Sequence, residues 1–509
     1  MSLLLSTLET TIVSTSLVSI VDDLHGFDRS GWLVTSYLVT YTGFLIIYAK
    51  LSDILGTKLM LLCAVSLFTL FSIACGASNS MERLIVFRAF QGMGGSGIYS
   101  LSTIMGTMMV PPAKFATYVA ITTSVFAISS VLGPLLGGAI NDSTTWRWVF
   151  YLNGPGGAVA LALIASSIPF GFPYGKSNRF FRSMIEERAW KRIDVLGAFL
   201  SLATSILLVF ALEEGGVAYP WNSGAVIASF ILSGLLWTGF IIWERKLSIS
   251  KSVCEPMFPW RLAVNRFVLG LLVNGFLTGF PFMAAIFNIP QRLQTVNSTS
   301  AIGAGIRLLP LLLLSPIASA TSGFLITTLR IPPLYILILG GSLQTIGVGL
   351  FSSLSSSDLQ IPRAQYGYQV IMGLGFGFNL STILMMVPMV VDEKDIPVTM
   401  AAVTQIRVLG GTMGLAACSA VLINHIKEKA AMFLTSEQVA AILLSSSVIK
   451  LLPQQEQIQA RMVFAAGYSQ QMRIMLYFSI AAIFSLLFLV ERRPRRVVDI
   501  AKGELSTSR

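Results

Sequence analysis

Long apolar segments separated by short polar ones run along the whole chain. Each segment has about 20 residues, the length at which an α-helix crosses the ~30 Å hydrocarbon core of a bilayer. A backbone amide inside lipid has no water to pair with, so such segments are expected to be helical. The pattern predicts fourteen membrane spans, at 2–21, 32–50, 59–77, 84–108, 116–140, 148–170, 194–213, 223–243, 267–289, 301–327, 334–353, 366–391, 396–423 and 474–490.

The first apolar segment admits a second interpretation, a cleaved signal peptide. No basic residue precedes it, Glu9 interrupts its apolar run, and no small-residue cleavage site stands out after it. A signal peptide normally has a basic start, an unbroken apolar centre and such a cleavage site. We therefore expect residues 1–21 to be a retained first span.

Alternate loops differ in their content of Lys and Arg. With the N-terminus in the cytoplasm, 22 of the 35 basic residues fall in cytoplasmic loops and the C-terminal tail, and 10 fall on the opposite side. Cytoplasmic loops of membrane proteins are enriched in Lys and Arg, so both termini are predicted to be cytoplasmic. On the predicted outer side, Asn141 and Asn297 begin Asn-X-Ser/Thr triplets and are candidate glycosylation sites.

A weak internal repeat organises the chain. Gln91 and the glycines after it in span 4 resemble Gln369 and the glycines after it in span 12, eight spans later. Repeated helical halves are a common plan for secondary transporters, and an offset of eight fits two six-helix halves with two extra helices between them. The predicted parts are an N-terminal half at 1–170, spans 7 and 8 between two basic loops at 171–266, a C-terminal half at 267–490, and a cytoplasmic tail at 491–509.

Two of the predicted loops have patterns of their own. The basic loop 171–193 fits either an amphipathic helix on the inner leaflet or a solvated loop. The long outer loop 424–473 is predicted to hold two short helices broken at Pro453. Thr435 and Gln438 have the spacing of a capping box at the start of the first of these helices.

The composition excludes several classes of protein. Hydrophobic residues make up 54% of the 509 residues and charged residues 12%, whereas soluble domains carry about 25% charged residues. This balance excludes a soluble enzyme, a disordered chain and a nucleic-acid-binding protein. The four cysteines lack CxxC spacing and the two histidines lie outside the apolar segments, so no metal site is expected. The phosphate-binding pattern GxxxxGK(S/T) is absent, so ATP is not expected as the energy source.

Two charged residues inside apolar segments are the strongest candidates for chemistry. Glu9 is the only acidic residue well inside the first six spans, and Arg88 lies inside span 4. Charges within a bilayer are costly and usually functional, and burial favours the protonated form of a carboxyl group. Glu9 is therefore a candidate proton carrier, and a Glu9–Arg88 ion pair is the simplest hypothesis. A structural role for Glu9, or an Arg88 side chain reaching the outer interface, is the alternative.

Span 5 contains the sequence GPLLGG at 133–138. Pro134 removes a backbone donor and bends a helix. Gly133 and Gly137 have the GxxxG spacing that lets two helices approach closely, and Gly138 adds to the same small-residue surface. A bent and closely packed helix is suited to an interface that rocks.

The loop between spans 2 and 3 has the sequence AKLSDILGTK at 49–58. Gly56 supports a tight turn, and Asp53 is able to accept hydrogen bonds at a helix N-terminus. Lys58 ends the segment with a positive charge, and Lys50 supplies another. By themselves these residues are consistent with a simple topogenic turn.

Polar and aromatic side chains on otherwise apolar segments are candidates to line a central cavity. Each of them also fits a helix–helix hydrogen bond or plain packing, and Arg407, like Arg307 in span 10, also fits a structural role near an interface. The cavity candidates are Tyr37, Tyr41, Gln91, Tyr99, Asn274, Phe282, Gln369, Asn379 and Arg407.

Together these motifs resemble the major facilitator superfamily, and more narrowly its fourteen-span drug:proton antiporter family in its fungal form. The stretches that carry the resemblance are LETTIV at 8–13, AKLSDILGTK at 49–58, RLIVFRAFQGMGG at 83–95, GPLLGG at 133–138 and WRWVFYLNGPGG at 146–157. The resemblance covers essentially the whole chain. It implies an all-α membrane protein with fourteen transmembrane helices, in which Asp53, Gly56 and Lys58 form a cytoplasmic latch.

The resemblance also implies a function. The protein is expected to export a drug, toxin or other secondary metabolite in exchange for protons, as a monomer in the plasma membrane, with the vacuolar membrane as the second choice. The proton gradient replaces any cofactor. One alternative is a proton-coupled importer of a siderophore or a vacuolar amino acid. Another is a non-transporting membrane sensor, which would be expected to carry a large cytoplasmic extension.

Overall fold

The computed structural model describes residues 1–109, 115–169, 194–250, 254–357, 359–392, 395–492 and 494–495. Within these ranges it does not describe the side chains of residues 53, 54, 103, 106–109, 115–124, 126, 127, 130 and 397. The basic loop predicted at 171–193 and most of the predicted tail therefore lie outside the described residues.

The described chain is helical almost throughout, and it contains no β-strand. Short 3-10 helices lie at Phe27–Arg29, Ser446–Leu451 and Leu486–Leu489. The α-helices are α1 (Ser2–Asp23), α2 (Ser30–Leu55), α3 (Thr57–Gly76), α4 (Met81–Met109), α5 (Phe115–Ser143), α6 (Arg147–Tyr151), α7 (Asn153–Ser167), α8 (Val195–Glu214), α9 (Gly224–Ile249), α10 (Trp260–Ala263), α11 (Arg266–Thr295), α12 (Ala301–Thr327), α13 (Pro333–Ser352), α14 (Ala364–Val390), α15 (Ile396–Ala430), α16 (Ser436–Leu444) and α17 (Gln454–Ser485).

Among the described residues, twelve helical segments are long and apolar enough to cross a membrane, with α6 and α7 counted as one. The all-helical membrane fold is thus confirmed, but the count is two below the fourteen spans predicted. The difference lies at predicted spans 4 and 5, which coincide with α4 and α5. Each of these helices has 29 residues, and they adjoin residues 110–114, which the structure does not describe. Three charged residues near the start of α4 also reduce its apolar character.

The packing of the helices repeats with the offset of eight spans seen in the sequence. In the N-terminal half, α1 packs on α5, α2 packs on α4, and α3 packs on α4 and α7. In the C-terminal half, α11 packs on α15, α12 packs on α14, and α13 packs on α14 and α17. These pairs correspond one to one, which is the arrangement that two six-helix repeats produce. The halves meet where α5 packs on α12 and α2 packs on α15, and also between α1 and α11.

The two helices between the halves, α8 and α9, lie beside the bundle. They pack on each other, and α8 also contacts α2 of one half and α15 of the other. Most of α9 is exposed, and its exposed surface is apolar. An apolar helix that other helices leave uncovered is expected to face lipid. In the described structure α8 therefore joins the inserted pair to both halves.

The last helix differs from its prediction. The apolar pattern places span 14 at 474–490 after a loop at 424–473, but α15 continues to Ala430 and α17 begins at Gln454. The polar residues between 454 and 473 include many good helix formers, so the helix extends beyond its apolar part. The capping box at the start of α16 is confirmed, because Thr435 and Gln438 each bond the other's backbone. A 3-10 helix follows α16 and ends before Pro453, and the second short helix predicted after Pro453 is instead the start of α17.

The two halves are joined by hydrogen bonds at the end of the bundle where α1 ends. We call it the outer end, following the predicted orientation. The Asp142 carboxylate at the end of α5 accepts from the backbone N–H groups of Ala301 and Ile302 at the start of α12, both at 3.2 Å. A carboxylate is favoured there because the N–H groups of a helix start are unpaired. The Gln294 amide donates to the Thr15 carbonyl across the same boundary at 3.1 Å. The outer end is therefore closed.

Candidate functional site

A buried ion pair joins α1 to α4. The Arg88 guanidinium contacts Glu9 Oε1, and the two side chains are 1% and 0% exposed. The Asn153 amide at the start of α7 donates to Glu9 Oε2 at 2.7 Å, so both carboxylate oxygens have a partner. The structure thus contains the ion pair that the sequence suggested, and Arg88 does not reach the outer interface.

Arg88 is held by further polar groups inside the N-terminal half. Its Nη1 atom donates to Gln91 Oε1 at 2.7 Å, and its Nε atom donates to the Leu33 carbonyl at 3.2 Å. Gln91 in turn donates to Ser72 Oγ on α3 at 2.7 Å. Removing two charges from water is costly unless their remaining hydrogen-bonding groups are also satisfied. This network meets that requirement, and it links α1, α2, α3, α4 and α7 through one pair of charges.

The local sequence of α1 makes this burial possible. Most of the helix is buried although it contains nine Ser and Thr residues. Several of their hydroxyl groups donate to carbonyls one turn earlier, as Thr11 does to Leu8 and Ser14 does to Thr11. Hydroxyl groups satisfied within their own helix do not need water. The helix can therefore cross the centre of the bundle and carry Glu9 there.

A line of aromatic rings leads from the ion pair toward the second half. The Arg88 guanidinium lies 4.4 Å from the centroid of the Tyr37 ring, a cation–π distance. The Tyr37 ring stacks on Tyr41 at 5.8 Å, and Tyr41 lies 6.2 Å from Tyr99. Three of the predicted cavity residues are therefore contiguous, and they connect to the charged network through Tyr37.

Arg407 lies on the other side of the same cluster. Its guanidinium is within electrostatic range of the Tyr41 and Tyr99 hydroxyl groups, and 6.0 Å from the Phe282 ring of α11. Phe282 packs edge to face on Phe376 of α14, with ring centroids 5.3 Å apart. Among the described residues Arg407 forms no ion pair. We call Tyr37, Tyr41, Tyr99, Phe282, Phe376 and Arg407 the central cluster; it holds side chains from both halves.

The other predicted cavity residues lie elsewhere. Asn274 donates to the Ala482 carbonyl at 2.8 Å and to Ser485 Oγ at 3.0 Å, so it ties α11 to the last helix. Asn379 donates to Gln344 Oε1 at 2.8 Å and ties α14 to α13. Gln369 is fully buried, and neither of its amide atoms has a hydrogen-bond partner in the described structure. The structure thus gives Asn274 and Asn379 bonds between helices of the C-terminal half instead of a place in the central cluster.

Sequence comparison identifies the fold that carries this site. The sequence model of the Major Facilitator Superfamily matches residues 1–415. The chain belongs to this superfamily. It is accordingly a membrane transporter and not an enzyme.

The chain is similar to proteins that are named as transporters or as a multidrug resistance protein. It is 70% identical to the MFS-type transporter FPY5 of Fusarium mangiferae over 97% of this chain and 83% of that one. It is 30% identical to the MFS thioclapurine efflux transporter tcpA of Claviceps purpurea, over 83% and 76% of the two chains. It is 34% identical to Multidrug resistance protein 3 of Bacillus subtilis, over 75% and 70%.

Solved structures of transporters share the fold. A bacterial homologue of the human lysosomal transporter Spinster, inward-facing and unoccupied, superposes with a TM-score of 0.66 at 15% identity, over 96% of this chain and 94% of that one. A D-xylose-proton symporter superposes with a TM-score of 0.60 at 12% identity, over 97% of each chain. These identities are low, so the likeness concerns the fold alone.

The glycines of the 133–138 motif lie where α5 meets α1 and α12. A Cβ added to Gly133 would lie against Thr11, and one added to Gly137 would lie against the Ile12 carbonyl and Thr15. The Thr15 hydroxyl donates to the Pro134 carbonyl at 3.2 Å. The close approach predicted from the GxxxG spacing is thus present in the transporter, and α5 extends it across the boundary between the halves.

Replacing Gly138 with Ala is expected to hold the outer end partly open. A Cβ at Gly138 would lie 2.6 Å from the backbone N atom of Ile302 in α12, which is too close for either helix to stay in place. Spin labels at the exposed Thr144 and Ser353, one on each half, would report the separation by double electron–electron resonance once the four cysteines are replaced. We expect a longer distance and slower transport.

Gly234→Ala is the matched control, because nothing lies within 4 Å of a Cβ at Gly234 on α9. It is expected to leave the distance and the transport rate unchanged. An unchanged distance in Gly138→Ala would show that this contact does not set the closure of the outer end.

The 49–58 loop is only partly a contact between the halves. Gly56 has a φ of 85°, a conformation that favours glycine, and it makes the predicted tight turn. Lys58 donates to the Ala165 carbonyl at 2.8 Å and so contacts α7 of its own half. Lys50 forms an ion pair with Glu255 at 2.8 Å, in the segment that leads to the C-terminal half. The side chain of Asp53 lies outside the described residues.

Both candidate glycosylation asparagines use their amide nitrogen inside the protein. Asn141 donates to Ser16 Oγ and to the Gly137 carbonyl, both at 2.7 Å, and Asn297 donates to the Leu359 carbonyl at 2.9 Å. Glycosylation attaches the sugar to this nitrogen, so either modification would require these bonds to break. Glycosylation of the transporter stays a prediction.

Asn153 is the site residue that sequence reasoning missed. It lies in the stretch 146–157, which resembles the family, but its local pattern assigns it no role. A polar amide two residues after an aromatic run, at the start of an apolar helix, is the signal that the sequence offers. Its contact with Glu9 depends on how α7 packs on α1, which spacing along the chain does not show.

Proposed function

We propose that this transporter is a proton-coupled efflux antiporter that exports a small organic compound by alternating access. The observation that carries the proposal is the fully buried Glu9–Arg88 pair, connected through Tyr37 to a cluster that both halves share. In this scheme Glu9 carries the proton and the central cluster contacts the substrate. The fourteen-span drug:proton antiporter subfamily is part of the proposal, with α4 and α5 as spans 4 and 5.

Protonation of Glu9 supplies the coupling step. A neutral carboxyl group no longer balances the Arg88 charge, so the guanidinium is left with Gln91 and the Leu33 carbonyl as its partners. An unbalanced buried charge is costly, and helices α1 and α4 are expected to move until Arg88 finds water or another acceptor. Because Tyr37 lies on Arg88, this movement reaches the substrate cluster. Proton binding and substrate binding thereby exclude each other, as exchange requires.

The chemistry of the central cluster indicates the kind of substrate. Five aromatic rings offer apolar and stacking surface, and Arg407 supplies one positive charge that no carboxylate balances among the described residues. A planar or aromatic compound with a carbonyl or carboxylate oxygen would satisfy both features. The names of two relatives, an efflux transporter for thioclapurine and a multidrug resistance protein, support export of such compounds.

The proposed setting follows the charge distribution of the loops. Both termini face the cytoplasm, and the plasma membrane is the proposed location, so that export moves the compound out of the cell. The proposed transporter works as a monomer and draws its energy from the proton gradient. No further cofactor is required for this mechanism.

Transport by purified protein in liposomes tests the proposal. With an imposed pH gradient, an aromatic carboxylate is expected to move against the direction of proton flow, and a protonophore is expected to stop its accumulation. Movement in the same direction as protons would instead support the importer. Movement that does not depend on the pH gradient would overturn proton coupling in either direction. If no aromatic compound moved, the result would favour the sensor.

A further inference from the structure

A second buried carboxyl group lies where the inserted helix α8 meets both halves. Glu213, one residue from the outer end of α8, is 4% exposed. A Cβ added to Gly31 at the start of α2 would lie against both carboxylate oxygens of Glu213 and against Ser419 of α15. Because only a glycine leaves this room, Gly31 makes a pocket for the carboxyl group. Three helices therefore enclose Glu213: the inserted helix and one helix from each half.

The surroundings of Glu213 differ from those of Glu9. Glu9 has Arg88 and Asn153 as partners, whereas among the described residues no basic side chain forms an ion pair with Glu213. Its Oε1 atom has no hydrogen-bond partner in the described structure, and the Thr35 hydroxyl lies close to the carboxyl. An isolated carboxylate buried in this way would cost far more than a neutral acid. In this closed arrangement the neutral, protonated form of Glu213 is therefore favoured.

The other titratable groups described around Glu213 do not supply it with a paired positive charge. Glu214, on the same helix, accepts from the Trp32 indole at 2.7 Å and so faces α2. The Cys418 thiol of α15 is buried nearby. Lys427, further along α15, donates to the carbonyls of Gly216 and Val217 at 3.1 and 2.7 Å. Asp28 faces Lys427 from the 3-10 helix that precedes α2.

We propose that Glu213 is a second proton-binding site, loaded from the outer side, and that its protonation is required for the outer end to close. The site consists of the Glu213 carboxyl in the pocket that Gly31, Thr35 and Ser419 form between α8, α2 and α15. The ligand is a single proton. The proposal rests on the alternating-access function proposed above.

The position of the pocket explains why protonation of Glu213 favours closure of the outer end. Alternating access separates α2 from α15 at the outer end, which exposes the pocket to outside water. A hydrated Glu213 can ionise, and the charged form then opposes burial between the two helices. Closure becomes favourable again once a proton from outside neutralises the group. The transporter would thus close its outer end and return to the inward-facing state only after Glu213 has bound a proton from outside.

The test measures the closure of the outer end directly. Spin labels at Thr144 and Ser353 report its width in the full-length, cysteine-replaced protein in liposomes. In the unsubstituted background, raising the pH from mildly acidic to mildly alkaline is expected to shift the population to longer distances. In Glu213→Gln, whose amide resembles the neutral acid in size and charge, the distance is expected to stay short and the pH-dependent shift to be lost completely.

Two further variants separate a proton site from a structural one. Glu213→Asp keeps an ionisable group and is expected to retain a pH-dependent shift. Glu214→Gln removes the adjacent carboxylate, which bonds Trp32, and is expected to behave as the unsubstituted protein does. If Glu213→Asp lost the shift, or if Glu214→Gln lost it as completely as Glu213→Gln, the specific assignment to the Glu213 proton would be overturned.

The same experiment distinguishes this proposal from the proposed function. Retention of the shift in Glu213→Gln, together with its loss in Glu9→Gln, would overturn the Glu213 site and leave coupling through Glu9 standing. Absence of any pH-dependent shift in the unsubstituted protein would overturn both. Loss of the shift in Glu213→Gln while proton-driven transport survives in Glu9→Gln would support the Glu213 site and overturn the role of Glu9.

Discussion

Replacing Glu9 with Gln is expected to abolish proton-driven accumulation of the substrate, down to the level of empty liposomes. Gln has nearly the same shape and can still accept a hydrogen bond from Asn153 or Arg88, but it cannot take up or release a proton. The variant therefore separates the chemistry of the carboxyl group from its place in the packing. Substrate exchange without a pH gradient is expected to persist at a reduced rate, because it needs the central cluster but no proton.

The matched control is Glu82→Gln. Glu82 also pairs with an arginine, Arg29, but the two side chains are 67% and 45% exposed. Exposed ion pairs contribute little, so this variant is expected to accumulate substrate normally. Substrate accumulation by both variants, measured in liposomes with an imposed pH gradient, shows whether Glu9 carries the proton. Full accumulation by Glu9→Gln would exclude Glu9 as the proton carrier.

Replacing Arg88 with Met is expected to lower the free energy of unfolding by about 3–5 kcal/mol, the usual cost of leaving one member of a buried ion pair alone. Glu9 would then be buried without its counter-charge, although the Asn153 amide would still donate to it. The double variant Glu9→Gln with Arg88→Met has no unpaired charge. It is expected to recover most of the lost stability, although not the transport. Unfolding of the purified protein in detergent, followed by circular dichroism, measures each value.

The unsubstituted protein, the single variants Glu9→Gln and Arg88→Met, and the double variant form a double-mutant cycle. The two substitutions are expected to be strongly non-additive, because each single change leaves a charge that the other removes. Arg29→Met, at the exposed Arg29–Glu82 pair, provides the surface control and is expected to cost less than about 1 kcal/mol. Additive effects of Glu9→Gln and Arg88→Met would mean that the pair does not stabilise the fold as a unit.

Sequence reasoning was most successful where one short-range rule decides the outcome. The spans follow from the cost of unpaired amides in lipid, and the capping box at Thr435 and Gln438 follows from hydrogen bonds within one turn. The Gly56 turn and the close packing of Gly133 and Gly137 are of the same kind. The Glu9–Arg88 contact was found for a different reason. A buried arginine requires an acceptor, and the first six spans offered one internal carboxylate.

Sequence reasoning was less successful where a residue's environment depends on distant helices. Asn274 and Asn379 have the same pattern as cavity residues, polar on an apolar helix, but they bond other helices of their own half. The start of α17 was missed because its first turns are polar and extend beyond the apolar run. Nothing in the local pattern distinguishes these cases, since a polar side chain satisfied by a neighbouring helix and one facing a cavity occupy similar positions.

The sequence by itself determined an all-helical membrane bundle, its internal repeat, its predicted orientation and the two charges at its centre. These features depend on composition and on rules that act within a helix or between a charge and its counter-charge. Only the tertiary structure decided that Asn153 holds the second oxygen of Glu9, and that Arg407 meets the aromatic rings of both halves. Only the structure placed Glu213 in a pocket beneath Gly31. In the sequence Glu213 is a charge at the end of a span, where water is expected to solvate it. The packing of three helices removes that water, and burial without a paired cation among the described residues favours the protonated form that we propose.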